Sequence, residues 1–222
     1  QELVVSGQTA ATEVFHQLGV EYTTHFGDGS VVPSHTIIGQ ATGSSVKVLI
    51  GERIALNFLM RLSGIATHTH RTLRAVRDRS FKVVDTRKTT PLHRQLERRA
   101  VVHGGGSNHR HALYDGILIK DNHITAAGGI EAAIQRAQAQ AHHLLKIEVE
   151  VETLEQAIAA VSAGADALLL DNMSNQQLAA VVDKVRAMEP QLGKKIVLEA
   201  SGNMDQDRLI GLRDQAIDID IV

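Results

Sequence analysis

An α/β fold built on a parallel sheet is what this sequence predicts, and three observations predict it. Short apolar runs recur at 81–84, 117–119, 147–151, 167–170, 196–198 and 217–222. Helical or glycine-rich segments separate them. Two helical segments open just after such a run on capping boxes, Thr153 with Gln156 and Ser174 with Gln177. Strands buried on both faces read as continuous apolar runs, and alternating strands and helices imply parallel crossovers. Six runs favour a (β/α) barrel over a sandwich. They leave open an incomplete barrel, one with further strands beyond the C-terminus, or a doubly wound open sheet.

The first 50 residues read differently, as a small strand-rich unit. Gly27-Asp28-Gly29-Ser30 is a turn signal. Thr36–Gln40 and Val46–Ile50 are β-type runs around Gly43-Ser44-Ser45. Thr9–Leu18 has helical spacing, with Ala10, Ala11, Val14, Phe15 and Leu18 on one face. From Glu52 to about Arg77, Ala55, Leu59, Leu62, Ala66 and Leu73 recur at helical spacing, and Gly64 is expected to kink or divide that helix. The predicted domains are therefore 1–51 and 52–222.

Composition narrows the function classes. The 222 residues are 43% hydrophobic and 22% charged, enough for one sizeable core and ordinary for a globular chain. A net charge of −2 gives no global field towards nucleic acid or membrane, so an anionic ligand would need local cations. The absence of cysteine excludes disulfides, zinc–thiolate sites and thiol nucleophiles, and it fits a reducing compartment; cytoplasmic residence is expected. No apolar run approaches the ~20 residues needed to cross a bilayer. The N-terminus lacks the basic and apolar regions of a signal peptide, and without an initiator Met it reads as truncated. Among the 12 histidines, His68/His70 and His142/His143 are close pairs whose spacing does not place both on one helix face.

The informative signal lies where the apolar runs end. Val83-Val84 leads into Asp85-Thr86-Arg87-Lys88, and Leu118-Ile119 into Lys120-Asp121-Asn122-His123. Glu148, Glu150 and Glu152 alternate along the third run. Leu168-Leu169-Leu170 leads into Asp171-Asn172, and Val197-Leu198 into Glu199-Ala200-Ser201-Gly202. In barrel enzymes the C-terminal strand ends form the active site. Arg87, Lys88, Arg110 and Lys120 are cations suited to carboxylates and phosphates. Glu150 and Asp171 suit a hard divalent metal, Mg²⁺ where phosphates are present. Gly104-Gly105-Gly106 offers backbone N–H groups to an anion. Lys120 at a strand end also fits a Schiff-base lysine, but that chemistry leaves Arg87, Lys88, His109, Arg110, Glu150 and Asp171 with little to do.

These blocks resemble one family. Gly51-Glu52-Arg53, Ala55–Leu59, Leu62–Thr67, Asp85–Pro91, Gly104–Gly106 with Asn108-His109-Arg110, Leu118–His123, Glu148–Glu152, Leu169–Asn172 and Glu199–Gly202 are similar, in order, to the quinolinate phosphoribosyltransferases. The resemblance runs from about residue 3 to 222. It implies an open (β/α) barrel with an N-terminal α/β sandwich domain, the type II phosphoribosyltransferase architecture. It implies a pentosyltransferase of NAD biosynthesis that converts quinolinate and phosphoribosyl pyrophosphate to nicotinate mononucleotide, pyrophosphate and CO₂ with Mg²⁺. It also implies homodimers or larger assemblies with shared active sites.

Carried over residue by residue, Arg87, His109, Arg110 and Lys120 would hold the quinolinate carboxylates, with Arg53 supplied by the partner subunit. Thr86 would join the substrate-binding set, and Lys88 would reach the phosphoribosyl pyrophosphate. Glu150 and Asp171 would bind ribose hydroxyls and Mg²⁺, and Ser201 and Gly202 the 5′-phosphate. The implied catalytic set is Lys88, Lys120, Glu150 and Asp171.

The sequence departs from the family at Leu92-His93, where Gly-Leu is usual. Asp78–Lys82 is shorter than usual, and both ends read as truncated. The alternatives are a related phosphoribosyltransferase-fold protein acting on another acid, or a non-catalytic ligand-binding paralogue.

Overall fold

The computed structural model describes residues 2–222. In chain order the elements are β1 (Glu2–Val4), α1 (Gln8–Gln17), β2 (Glu21–Thr24), β3 (Val31–Pro33), β4 (Gly39–Thr42), α2 (Ser45–Ala75) and α3 (Arg94–His103). Then come β5 (Ile117–Ile119), α4 (Asp121–Ala127), α5 (Ile130–Gln140), β6 (Ile147–Val151), α6 (Leu154–Ser162), β7 (Ala167–Asp171), α7 (Asn175–Leu192), β8 (Val197–Ser201) and α8 (Gln206–Asp214). The chain forms two compact units, Gln1–Ala75 with Val84–His109, and Val76–Val83 with Arg110–Val222.

In the first unit β1 pairs antiparallel with β3, and β2 with β4. Ala11 and Phe15 of α1 pack with Val20, Ala55 and Leu59. The expected helix at 9–18 is present as α1, whereas the expected strand at 46–50 is instead the start of α2. The reason is tertiary. Val48 packs against the cluster, and Gly51, Ala55, Leu59, Leu62 and Ala66 are buried beyond it. That spacing is helical, and it overrides the β-propensity of Val46, Val48 and Ile50. A Cβ on Gly51 would lie 2.8 Å from Leu18 Cδ1 and 3.1 Å from Phe15 Cε1, so glycine leaves room for these side chains against α2. Gly64 does not divide α2, which runs through it as one helix.

In the second unit β5, β6, β7 and β8 form one parallel sheet in chain order. A doubly wound sheet reverses its order at a switch point; this sheet does not, as a barrel requires. The outer runs expected as strands at 81–84 and 217–222 form isolated parallel bridges only: Ile221 with both Glu199 and Lys82, and Val84 with Ser107. Ile217 begins a tight turn, closed by the Ile219 N–H donating to the Ile217 carbonyl, so only the end of that run extends.

Val149, Val151, Leu168, Leu170, Ile196 and Leu198 are buried against Ala157, Ala160, Leu178, Val181 and Val185. Each large aliphatic side chain so buried contributes about 1.5–3 kcal/mol. Both expected helix starts are capped: Thr153 accepts from the Gln156 N–H, and Ser174 with Gln177 forms a full capping box. Arg186 ties α7 to the last run, donating to Glu189, Asp218 and Asp220. Burial opposes its charge, but the hydrogen bonds to Asp220 and Glu189 outweigh that and push its pKa up.

Candidate functional site

In the second unit the expected residues sit at the C-terminal ends of successive strands. Lys120 follows β5, whose last residue, Ile119, pairs with Val149. Glu150 lies one position further along β6, and the Lys120 ammonium donates to Glu150 Oε2 at 2.5 Å. The contact gives the Lys120 side chain a carboxylate partner on the next strand. Glu150 pairs in register with Leu169, and Asp171 with Ser201. Along β6, Ile147, Val149 and Val151 are buried while Glu148 and Glu150 are half-buried, so both carboxylates leave by the face opposite the apolar one.

Asn172 and Gly202 complete this edge. The Asn172 side-chain amide donates to Asp171 Oδ2 at 2.7 Å, and its backbone N–H donates to the Ser201 carbonyl. Gly202 has φ +87°, and a Cβ there would lie 2.2 Å from Asn172 Oδ1. No side chain fits, which accounts for glycine in this position. Arg110 is half-buried and donates to the Gly116 carbonyl at 2.9 Å. His123 serves as a cap: its Nδ1 accepts from the Lys120 N–H at the start of α4.

In the first unit Arg53 is exposed on α2. Thr86, Arg87 and Lys88 lie on the loop leading towards α3. The Thr86 hydroxyl accepts from the Lys88 N–H at 3.1 Å. Lys88 is exposed and Arg87 half-buried; Arg87 Nε has no hydrogen-bond partner among the described residues. His109 is half-buried, its N–H donating to Asp85 at 3.0 Å and its carbonyl accepting from Arg98 at 2.5 Å.

The glycine triplet corrects the sequence reading. The N–H groups of Gly104, Gly105 and Gly106 donate to the carbonyls of Ala100, Val102 and Val101, closing the end of α3 rather than facing an anion. A Cβ on Gly104 would lie 2.4 Å from the Ala66 carbonyl oxygen, so this glycine admits the end of α3 against α2.

Two buried ionisable residues, Glu97 and Arg98, escaped the sequence reading. Arg98 pairs with Asp85, and Glu97 accepts from Arg61 and Thr90. Burial opposes ionisation of Glu97, but the hydrogen bonds from Arg61 and Thr90 outweigh it and hold the carboxyl below its usual range. Glu199 on β8 is also buried. It stands at the strand end where the sequence places it, paired in register with Leu169, which pairs in turn with Glu150. Glu150 and Asp171 are oxygen donors of the kind Mg²⁺ takes, on neighbouring strands. No helix among the described residues is long and apolar enough to cross a membrane.

Parallel strands in chain order, with ion-pairing groups at their C-terminal ends, define the second unit as a (β/α)-barrel enzyme domain. Family models for the quinolinate phosphoribosyl transferase N-terminal and C-terminal domains match residues 1–63 and 65–221. The chain is 42% identical over 210 residues to a probable nicotinate-nucleotide pyrophosphorylase [carboxylating] of Bacillus subtilis, covering 94% of this chain and 70% of the relative. It is 36% identical to the nicotinate-nucleotide pyrophosphorylase [carboxylating] of Homo sapiens, covering 93% and 69%. Among solved structures, the nicotinate-nucleotide pyrophosphorylase of Francisella tularensis superposes with a TM-score of 0.91 at 36% identity, covering 100% of this chain and 77% of the other. NadC from Streptococcus pyogenes superposes at 0.88 and 39% identity, with the same coverage. The chain belongs to the quinolinate phosphoribosyltransferase family, and its fold is the open (β/α) barrel with an N-terminal α/β domain.

Proposed function

We propose that the chain is a carboxylating pentosyltransferase: quinolinate and phosphoribosyl pyrophosphate become nicotinate mononucleotide, pyrophosphate and CO₂, a step of NAD biosynthesis. The observation that carries this reading is the Lys120–Glu150 pair at neighbouring strand ends, with Asp171 and Ser201 in register beyond it. A cation for a substrate carboxylate thereby stands beside carboxylates suited to an electron-poor sugar carbon.

In this reading Arg87, His109, Arg110 and Lys120 bind the two quinolinate carboxylates, with Thr86 beside them. Lys88 binds the pyrophosphate. Bond formation at the anomeric carbon passes through an oxocarbenium-like state, whose positive charge Glu150 and Asp171 stabilise while holding the ribose hydroxyls. Ser201 and Gly202 receive the 5′-phosphate. Glu150 and Asp171 would also hold Mg²⁺, which when bound supplies charge neutralisation at the leaving pyrophosphate. Once nitrogen is quaternised, its positive charge stabilises the electron pair that departing CO₂ leaves on the adjacent ring carbon, and a proton from solvent or a nearby acid takes up that pair.

The same reading makes the protein a cytoplasmic homodimer or larger assembly, with Arg53 contributed across the subunit boundary. Arg53 is exposed on α2 and lies within one helical turn of exposed Leu49, Ile50 and Ile54, a surface suited to a second copy.

The test incubates the chain with quinolinate, phosphoribosyl pyrophosphate and MgCl₂ and measures CO₂ and nicotinate mononucleotide, expected in equal amounts. Quinolinate binding without turnover would mark a ligand-binding paralogue. Binding of a different acid, with none of quinolinate, would mark a related transferase.

A further inference from the structure

We propose that Glu97 and Arg98, consecutive residues of α3, are positioning residues that grip the two ends of the loop bearing Arg87 and Lys88. The inference rests on the reading of those two cations as substrate-binding groups.

At the start of the loop Arg98 Nη1 donates to Asp85 Oδ1 at 2.9 Å. At its end the Thr90 N–H donates to Glu97 Oε2 at 3.1 Å, and the Thr90 hydroxyl to Glu97 Oε1 at 2.8 Å. Consecutive helical residues diverge by about 100°, so one helix turn can reach both ends of a loop. Both gripping residues are buried, each 7% exposed. Only residues 86–89 lie between the gripped ends. There the Thr89 N–H donates to the Arg87 carbonyl at 3.0 Å, and Arg94 Nε donates to the Thr89 hydroxyl at 3.3 Å.

Each grip has a second attachment. Arg61 of α2 donates to Glu97 through Nε at 3.1 Å and Nη2 at 2.8 Å, and to the Thr90 hydroxyl at 3.0 Å. Glu97 is thus fixed before it receives Thr90. Asp85 in turn accepts from the His109 N–H, and Arg98 donates to the His109 carbonyl. The same ion pair therefore sets the backbone of a third expected substrate ligand. A loop carrying two like charges would otherwise sample many conformations, and holding it in one removes ordering entropy from substrate binding.

Thr90 separates this role from general stability, because it is exposed and its side chain is small. Thr90→Val removes the hydroxyl link, Thr90→Ser keeps it, and Glu97→Gln removes the charge. Amide exchange across 86–90 is expected to accelerate by about tenfold or more in Thr90→Val and Glu97→Gln, and to stay at the wild-type rate in Thr90→Ser. The KM for quinolinate and for phosphoribosyl pyrophosphate should rise by about fivefold or more in the first two, with kcat less affected and Thr90→Ser restoring both. In an Arg87→Ala background, Thr90→Val should add little to the quinolinate effect. Wild-type exchange and wild-type KM in both Thr90→Val and Glu97→Gln would overturn the inference, as would effects that multiply fully with Arg87→Ala. A wild-type chain without turnover would sink the proposed function instead, and amide exchange would still decide whether α3 orders the loop.

Discussion

Asp85 and Arg98 form an ion pair at 2.9 Å in which both side chains are almost wholly withdrawn from water, at 6% and 8% exposure. Such a pair adds little net stability over an apolar contact, but removing one member strands the other. Asp85 keeps its N–H donors from Asn108 and His109, which soften the loss. Arg98→Met is expected to cost about 3 kcal/mol, read from the urea midpoint. A midpoint equal to that of the wild type would mean that the Asp85–Arg98 contact carries no weight in stability.

Substitutions at the strand ends address turnover. Arg87→Ala should lower turnover or quinolinate affinity by about tenfold or more. Lys120→Ala should do likewise, and Glu150→Gln should chiefly lower kcat, because its charge matters most once the sugar carbon becomes positive. The readout is CO₂ release under varied quinolinate. Unchanged rate and affinity in Arg87→Ala would remove that residue from the site.

Leu92, where the family resemblance expects glycine, has a left-handed backbone at φ +67°, and its side chain is fully exposed at 102%. A non-glycine residue there costs about 1–2 kcal/mol, while glycine costs about 0.5–1 in unfolded-state entropy. Leu92→Gly should therefore stabilise by roughly 1 kcal/mol or less in a thermal or urea melt. A clear loss of stability would show that glycine's unfolded-state entropy outweighs the left-handed strain.

Acid sensitivity should centre on Asp220. It accepts from the Leu198 N–H, Arg186 and Lys195. Burial opposes its ionisation, yet the hydrogen bonds from Lys195 and Arg186 prevail and lower its pKa. A carboxyl with a depressed folded value contributes stability that is complete above the unfolded value of about 3.9 and is lost as pH falls through the folded one. Asp220→Asn should thus be less stable than wild type at neutral pH and show a shallower decline below about pH 4. Parallel curves across that range would assign the acid limb to other groups.

Much of this was legible in advance, for identifiable reasons. Ile117–Ile119 and Ile147–Val151 appear as strands over the expected spans because buried parallel strands leave uninterrupted apolar runs. The caps at Thr153 and Ser174 are local chemistry and were found locally. Val46–Ile50 was misread because its β-branched residues speak for a strand, while the burial of Gly51 and Ala55 that decides for a helix is tertiary. Glu97 and Arg98 sat unnoticed in a run of charges, since nothing in their spacing says that each meets a partner many residues away. The glycine triplet was recognised, but its use was not: close approach to Ala66 and an open backbone for anions look alike in one dimension.

The uninterrupted α2 has a geometric consequence. At 1.5 Å per residue its 31 residues make a rod about 46 Å long, and Arg53 and Arg61 are separated by about 12 Å along it. One continuous helix thus carries both guanidiniums, Arg53 and the Arg61 that braces Glu97.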